Sequence, residues 1–339
     1  MATPRRVNLA LLAVLPAAFA TGWLAFGVGT LWPARIVIAA HAATGIAVVL
    51  LIPWKSLIVR RGLVRPRRSV IAKAAGVALG VLVLISLAAG FAHAYAGPHT
   101  LLGLSEMQIH VGAAIAAVPL FAVHIVVRRQ RVRTTDVSRR SALRIGLLGT
   151  AGLAIFLAAE AVDDAVRGTG RLRRATGSYP QGTDDLAAMP QVAWLFDTVP
   201  RLDPDGFAVL LRTPDGRRDV RYADLAAGTD EIRAVLDCTG GWYAAATWRG
   251  VRLDRLIGQH SHGIVTVTSA TGYRRAFPVA DADKLWLVTH AGGAPLDAGH
   301  GAPVRLVAPG RRGFWWVKWV ASVEVETGLW SWQPPFPVH

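Results

Sequence analysis

The sequence predicts α and β structure in separate domains: a five-helix transmembrane bundle over residues 1–165, a tether over 166–177, and a mostly β, mixed α+β domain over 178–339. Three observations predict it. Of 339 residues 53% are apolar and only 17% charged, with a mean hydropathy of +0.37, which is too apolar for one ordinary soluble domain and far too apolar for a disordered chain. The apolar residues gather in long uncharged runs in the first half. The formal net charge of +15 is one-sided as well: residues 1–162 hold 17 Lys/Arg against 3 acids, while residues 163–339 hold 20 against 19. A basic excess confined to short clusters between apolar runs marks membrane topology, so no nucleic-acid partner is expected.

Taken in order, the runs Val7 to Ala34, Ile36 to Trp54, Ala74 to Ser105 and Met107 to Val127 carry no Asp, Glu, Lys or Arg, and Ile145 to Val162 carries only Glu160. Each is long enough for a bilayer core of ~30 Å at ~1.5 Å per residue, the fifth only just. The third run is long because it includes a loop around Gly97, Pro98 and His99. One such run would equally suit a buried soluble helix; five in succession do not.

Orientation follows from the loops. The stretch from Lys55 to Lys73 holds Lys55, Arg60, Arg61, Arg65, Arg67, Arg68 and Lys73, and that from Arg128 to Arg144 holds seven arginines against Asp136 alone. The loops around Arg35 and Gly97 hold one basic residue between them. The positive-inside bias therefore puts the N-terminus, with Arg5 and Arg6, in the cytoplasm. Five crossings deliver everything after about residue 163 to the outside. The expected location is the cytoplasmic membrane of a bacterium, with lipid around the bundle and the C-terminal half extracytoplasmic. Ser138 to Arg144 (SRRSALR) resembles a twin-arginine export signal, although Ala142 stands where that pattern usually has Phe; the simpler reading is one more basic cluster on the inner side.

Ionisable residues inside a membrane segment are functional candidates, because burying one without a partner costs several kcal/mol. Here these are His41, His93, His110 and His124. His110 and His124 stand 14 residues apart, close to four helical turns, so they share a face ~21 Å apart. That spacing resembles b-type cytochromes, in which one helix supplies a ligand to each of two stacked haems. His41, His93 and His110 all fall near the outer ends of their helices, and any pair of them supplies two imidazoles to one iron. His124 is alone near the inner side, where the second helix has Trp54 and Lys55. One haem b is expected, with His41 and His110 as first-choice ligands and His93 as third candidate or quinone-site residue; simple hydrogen bonding between helices is the alternative.

The rest of the chain reads differently. Arg167 to Arg174 is a basic, Gly-containing tether, and Gly177 to Pro204 is rich in Pro, Gly and Asp with few strand patterns. Regular structure is expected after it. Phe207 to Arg212, Ile264 to Ser269, Leu285 to Thr289, Val304 to Val307 and Val317 to Glu326 read as short strands, and Tyr222 to Leu225 and Leu253 to Ile257 as helical turns. Gly/Pro turns between short strands suggest a compact, mostly β unit. The one cysteine, Cys238, excludes an internal disulfide framework and any Cys-rich zinc or iron–sulfur site. No nucleotide-binding Gly-rich loop or Ser/His/Asp constellation stands out, so hydrolase and dehydrogenase readings have little support.

Two segments of this region carry a resemblance. Leu236, Asp237, Cys238, Thr239, Gly240, Gly241, Trp242, followed by Trp248 to Leu253 and Leu256, looks like the molybdenum-ligand segment of the sulfite oxidase-type molybdopterin-binding domain. Pro295, Leu296, then His300 to Gly313 and Val317 to Val320, resembles a second segment of the same domain. The resemblance covers about residues 178–330. It implies a molybdenum-dependent oxidoreductase in which Cys238 is the metal ligand and Thr239, His300, Arg305, Gly310, Arg311, Arg312, Gly313 and Lys318 contact the cofactor.

Residue chemistry agrees. A thiolate is a strong soft ligand, and one is enough for a metal whose other sulfurs come from a pterin dithiolene. Arg311 and Arg312 between Gly310 and Gly313 offer guanidinium forks and accessible backbone N–H groups to the pterin phosphate. Lys318 matches the family's lysine beside the cofactor. A buried inert cysteine, a solvated basic turn and an outward lysine are the plain alternatives. Trp315, Trp316, Trp319, Trp330 and Trp332 suit either core packing, an electron path or a membrane interface.

One departure bears on the substrate. Sulfite oxidases have an Asn and paired arginines soon after the ligand cysteine; here Thr239, Gly240, Gly241 and Trp242 occupy that place, so sulfite is not the expected substrate. The chain looks more like the bacterial branch that includes periplasmic protein-methionine-sulfoxide reductase, whose catalytic subunit works with a separate haem-containing membrane partner. The resemblance implies electron exchange between a quinone/quinol pool, a membrane haem b and a molybdopterin centre acting on a small or protein-bound substrate. Two rivals remain at this point: a cytochrome whose outer domain only docks, and a cofactor-free membrane receptor.

Overall fold

The computed structural model describes residues 3–29, 31–64, 70–128, 133, 136, 138–192, 198–258, 260 and 262–335. Arg65, Arg67, Arg68, Arg129 and Arg131, which entered the orientation argument, lie outside the described residues. The chain divides into two compact units, one of residues 1–25 and 31–179, the other of residues 26–30 and 180–339.

The first unit is helical. Its long helices are α1 (Pro4–Gly27), α2 (Leu31–Leu63), α3 (Val70–Tyr95), α4 (Glu106–Arg128) and α5 (Arg139–Ala165), each long and apolar enough to cross a membrane. Two short strands, β1 (Thr100–Leu101) and β2 (Leu104–Ser105), make the hairpin between α3 and α4, where Gly97 and Pro98 interrupt the uncharged run. The expected inner loops are corrected: Lys55, Arg60 and Arg61 ride on the end of α2, Lys73 on α3, Arg128 on α4, and Arg139, Arg140 and Arg144 on α5. Helix propagates through them because Lys and Arg are good helix formers and nothing in these stretches breaks the ladder. Ser138 starts α5 by accepting the Ser141 N–H at 3.3 Å, an N-cap inside the sequence read for export. Arg167 to Arg174, expected as a plain tether, contains a 3-10 turn at Thr169–Leu172.

The second unit is built of two sheets. In chain order its elements are β3 (Tyr179–Pro180), β4 (Ala208–Thr213), β5 (Gly216–Arg221), α6 (Tyr222–Ala226), β6 (Asp230–Asp237), β7 (Trp242–Arg252), α7 (Leu253–Ile257), β8 (Ile264–Ser269), β9 (Arg274–Pro278), β10 (Trp286–Ala291), β11 (Ala294–Pro295), β12 (Arg305–Val307) and β13 (Val320–Glu326). One sheet runs β11-β10-β7-β3, with β6 also on β7 and β12 also on β10; the other runs β5-β4-β13-β8-β9. The β4–β13 pairing is parallel and joins, inside the second sheet, its first and last strands in sequence.

The expected strands at 207–212, 264–269, 285–289 and 304–307 stand within two residues of observed ones, and both helical turns form. The last strand starts at Val320, leaving Val317 to Trp319 in the approach to it. The longest hairpin, β6–β7, was missed. Its buried positions alternate through Trp242, Ala244, Ala246, Trp248 and Gly250, but Ala and Gly carry little hydrophobic signal, so the period of two is masked.

The core lies between these sheets and centres on Trp248, which is fully buried, donates its indole N–H to the Ala234 carbonyl at 3.1 Å and meets Trp316 edge-on at 5.4 Å. Trp315, Trp316 and Trp319 are core residues, while Trp332 is exposed. At Gly250 the backbones of β7 and β10 touch: a Cβ there would lie 2.1 Å from the Leu287 carbonyl oxygen. Gly250→Ala is expected to destabilise the second unit by about 1–3 kcal/mol through overpacking that backbone cannot relieve. Thermal denaturation followed by tryptophan fluorescence checks this, and an unchanged transition would contradict it.

Candidate active site

The β6–β7 ladder runs unbroken from Asp230 opposite Gly250 to Asp237 opposite Tyr243. Cys238 opens the connecting turn. Its N–H donates to the Trp242 carbonyl at 2.8 Å, its carbonyl accepts from the Gly241 N–H at 3.2 Å, and the Gly240 N–H points at its Sγ at 3.3 Å. The main chain on both sides of the sulfur is thus committed to the turn, which holds the thiol still. Burial pushes the Cys238 thiol up from its ordinary pKa, opposed by the Gly240 N–H and by the Arg312 and Lys318 cations. The sulfur therefore keeps its proton at neutral pH.

Arg312 comes to this turn from the other segment. Its guanidinium is buried, donating to Asp237 Oδ1 at 2.5 Å and to the Cys238 carbonyl at 3.3 Å. Asp237 and Arg312 also form an isolated parallel bridge. Gly313 lets the loop rest on the cysteine, since a Cβ there would lie 3.0 Å from Cys238 Cα. The two sequence segments that carry the resemblance are thereby brought into one place.

Arg305, on β12, is fully buried. It donates to the His300 carbonyl at 2.9 Å and lies over Trp248 at 5.2 Å and Trp316 at 5.8 Å. Desolvation lowers its pKa to about 10, with Cys238 and Asp297 acting the other way, so it remains a cation at neutral pH. Arg305 Nε and Trp242 Nε1 are among the buried N–H donors that have no hydrogen-bond partner among the described residues. A Cβ at Gly240 would lie 3.4 Å from Trp242 Nε1 and 3.5 Å from Cys238 Sγ. The indole N–H and the sulfur thus border one small space that a larger residue at 240 would fill. Buried donors, surrounding cations and an enclosed thiol fit a soft metal carried by an anionic group.

The loop from Asp297 to Pro303 is held by residues that were expected to face the cofactor. His300 lies between the Asp297 carboxylate, 2.8 Å from Nδ1, and the Met189 carbonyl, 2.9 Å from Nε2. Both ring nitrogens are engaged within the protein, so His300 shapes the loop. Burial raises the Asp297 carboxyl, but hydrogen bonds from the His300 ring and backbone outweigh it and leave the pKa below the ordinary value. Lys318 donates to the carbonyls of Gly299 at 2.5 Å and Val192 at 2.8 Å, and it stands before β13 and not on it. Thr239 follows Cys238 in the turn, and Gly310 precedes the arginines in a left-handed conformation at φ +76°.

The two arginines part company. Arg311 donates to Asp281 at 2.8 Å and stacks over Trp315 at 4.9 Å and Phe277 at 5.1 Å. The expected pair of phosphate donors is therefore split, Arg311 pairing with Asp281 and Arg312 with Asp237. Sequence reasoning also passed over Asp237 and the Trp242 indole N–H. Asp237 did leave a signal: one acid ending an apolar strand is costly unless a cation meets it.

Residues 197–329 match the family described as "Oxidoreductase molybdopterin binding domain". The mitochondrial sulfite oxidases of Mus musculus and Rattus norvegicus are 32% and 28% identical over 167 residues, covering 38% of this chain and 31% of each relative. The chain thus matches less than a third of those relatives' length. The crystal structure of the sulfane dehydrogenase SoxCD from Paracoccus pantotrophus is 21% identical over 38% of this chain and 40% of that chain, with a TM-score of 0.35.

Proposed function

We propose that this chain, whose residues 197–329 are a molybdopterin-binding oxidoreductase domain of the sulfite oxidase type, is a membrane-anchored enzyme exchanging electrons between a quinone/quinol pool and an extracytoplasmic substrate. The observation that carries the reading is the meeting of the Cys238 turn with Arg312 and Gly313 beside two unsatisfied buried N–H groups. When bound there, the molybdenum–pterin group supplies the two-electron chemistry. The protein's residues prepare the place. Cys238 would hold the metal as its thiolate ligand. Arg312, Arg305 and Lys318 offset the cofactor's negative charge, and Asp237 holds the Arg312 fork. Trp242 Nε1 offers a donor where water is scarce. With Thr239, Gly240, Gly241 and Trp242 in place of anion-binding arginines, the fitting substrate is uncharged at the reacting group, small or protein-bound, of which a sulfoxide is the example we favour.

The anchoring half of the reading is supported by five helices of spanning length and by the asymmetric basic clusters, which orient the second unit outward. Export of a folded, cofactor-loaded domain suits the SRRSALR stretch at Ser138. Within the first unit, the rings of His41 and His110 meet with centroids 5.7 Å apart, whereas His93 Nε2 is bonded to the Gly177 carbonyl at 3.0 Å. We assign one haem b to His41 and His110. Metal analysis of the full-length protein, purified in detergent from a host that makes both cofactors, is expected to find one molybdenum and one iron per chain. His41→Ala and His110→Ala are each expected to remove the iron and leave the molybdenum. Molybdenum without iron in the wild type would reduce the first unit to an anchor, and neither metal in a folded sample would overturn the whole reading.

A further inference from the structure

We infer that two matched notches, Ala18 with Gly22 on α1 and Ser86 with Gly90 on α3, position His41 and His110 so that both present Nε2 to a single iron; the inference rests on the haem reading above. His41 Nδ1 lies 3.0 Å from the Ala18 carbonyl, and His110 Nδ1 lies 2.7 Å from the Ser86 carbonyl. A carbonyl only accepts, so in both rings Nδ1 carries the proton and Nε2 keeps its lone pair. Neither Nε2 has a hydrogen-bond partner among the described residues, and the ring planes stand at 77° to each other. An imidazole that ligates a metal through one nitrogen commonly gives its other N–H to a carbonyl, which sets tautomer and ring orientation together.

The same device occurs on both helices. In each case a glycine stands four residues beyond the carbonyl, where one helical turn brings it over the path the imidazole takes. A Cβ on Gly22 would lie 2.9 Å from His41 Cε1 and 3.2 Å from its Nδ1; a Cβ on Gly90 would lie 2.8 Å from His110 Nδ1 and 3.0 Å from its Cε1. Carbonyl and histidine are 23 residues apart in the first hairpin and 24 in the second. Hydroxyls brace both rings: Thr21 Oγ1 is 3.3 Å from His41 Nδ1, and Ser86 Oγ is 3.2 Å from His110 Nδ1 while donating to the His110 carbonyl at 3.1 Å. Histidines that only glued helices together would gain from bonding both nitrogens, and here the second nitrogen of each has no hydrogen-bond partner among the described residues.

The test compares full-length wild type with Gly22→Ala, Gly90→Ala and the control Gly80→Ala, since a Cβ at Gly80 on α3 meets nothing within 4 Å. Readouts are haem per chain and the spin state of the iron by electron paramagnetic resonance. Gly80→Ala is expected to keep the wild-type low-spin signal of two imidazole ligands. Gly22→Ala and Gly90→Ala are each expected to lose it, with at least a several-fold drop in haem or conversion to a high-spin, singly ligated iron. Elution as a monodisperse species identifies any variant that fails to fold, and because the notches are on separate helices either variant carries the test alone. Wild-type haem content and spin state in both would overturn the notch assignment while leaving haem in place. A wild type without haem would overturn the reading beneath it.

Discussion

On the proposed function, Cys238→Ser is expected to abolish molybdenum-dependent turnover while leaving the haem absorbance assigned to the first unit intact. The substitution alters one atom at the head of the β6–β7 turn. The turn itself is made by main-chain bonds between Cys238 and Trp242 and between Gly241 and Cys238, which serine preserves. Only the soft ligand is lost, because a serine hydroxyl at neutral pH is neither a thiolate nor a good partner for a sulfur-bound metal. The loss should exceed the roughly 10–100-fold that removal of an outer-shell partner costs a metal site. Turnover and molybdenum content, measured together on the same preparation, check the assignment. Retained turnover would remove Cys238 from the site.

Asp237→Asn is expected to destabilise the second unit by about 3–5 kcal/mol, because it strands the buried Arg312 guanidinium without its counter-charge. The pair is almost wholly enclosed, with side-chain exposures of 6% for Asp237 and 4% for Arg312, so water cannot take the carboxylate's place. A paired replacement, Asp237→Leu with Arg312→Met, should recover much of that stability, since well-packed apolar groups often substitute for a buried ion pair at little cost. It should recover no molybdenum loading, because the cation beside Cys238 is then gone. Denaturation midpoints and molybdenum content separate the two roles. Equal loading in the paired variant would show Arg312 to be purely structural.

Much of the fold was legible from local pattern. The five long helices follow from uncharged runs, and the short strands of the second unit from β-branched residues between Gly/Pro turns. The β6–β7 hairpin was not legible as strand, since Ala244, Ala246 and Gly250 are small for the reason that other elements press against them. Of the candidate site, Cys238, Arg305, Arg312, Gly313 and Lys318 come together around the turn, whereas Arg311 pairs with Asp281 and His300 spends both ring nitrogens on the loop. Motif spacing places residues along the chain and says nothing of which way adjacent side chains point.

By itself, then, the sequence determined what depends on composition along a line: two units of different class, the basic clusters between the apolar runs of the first, and a single cysteine in a Gly-rich turn. Tertiary structure decided what depends on which groups meet. It brought the rings of His41 and His110 together, with centroids 5.7 Å apart, and bonded His93 Nε2 to a carbonyl of the tether. It set Asp237 against Arg312 across 75 residues of chain, where burial makes each charge require the other.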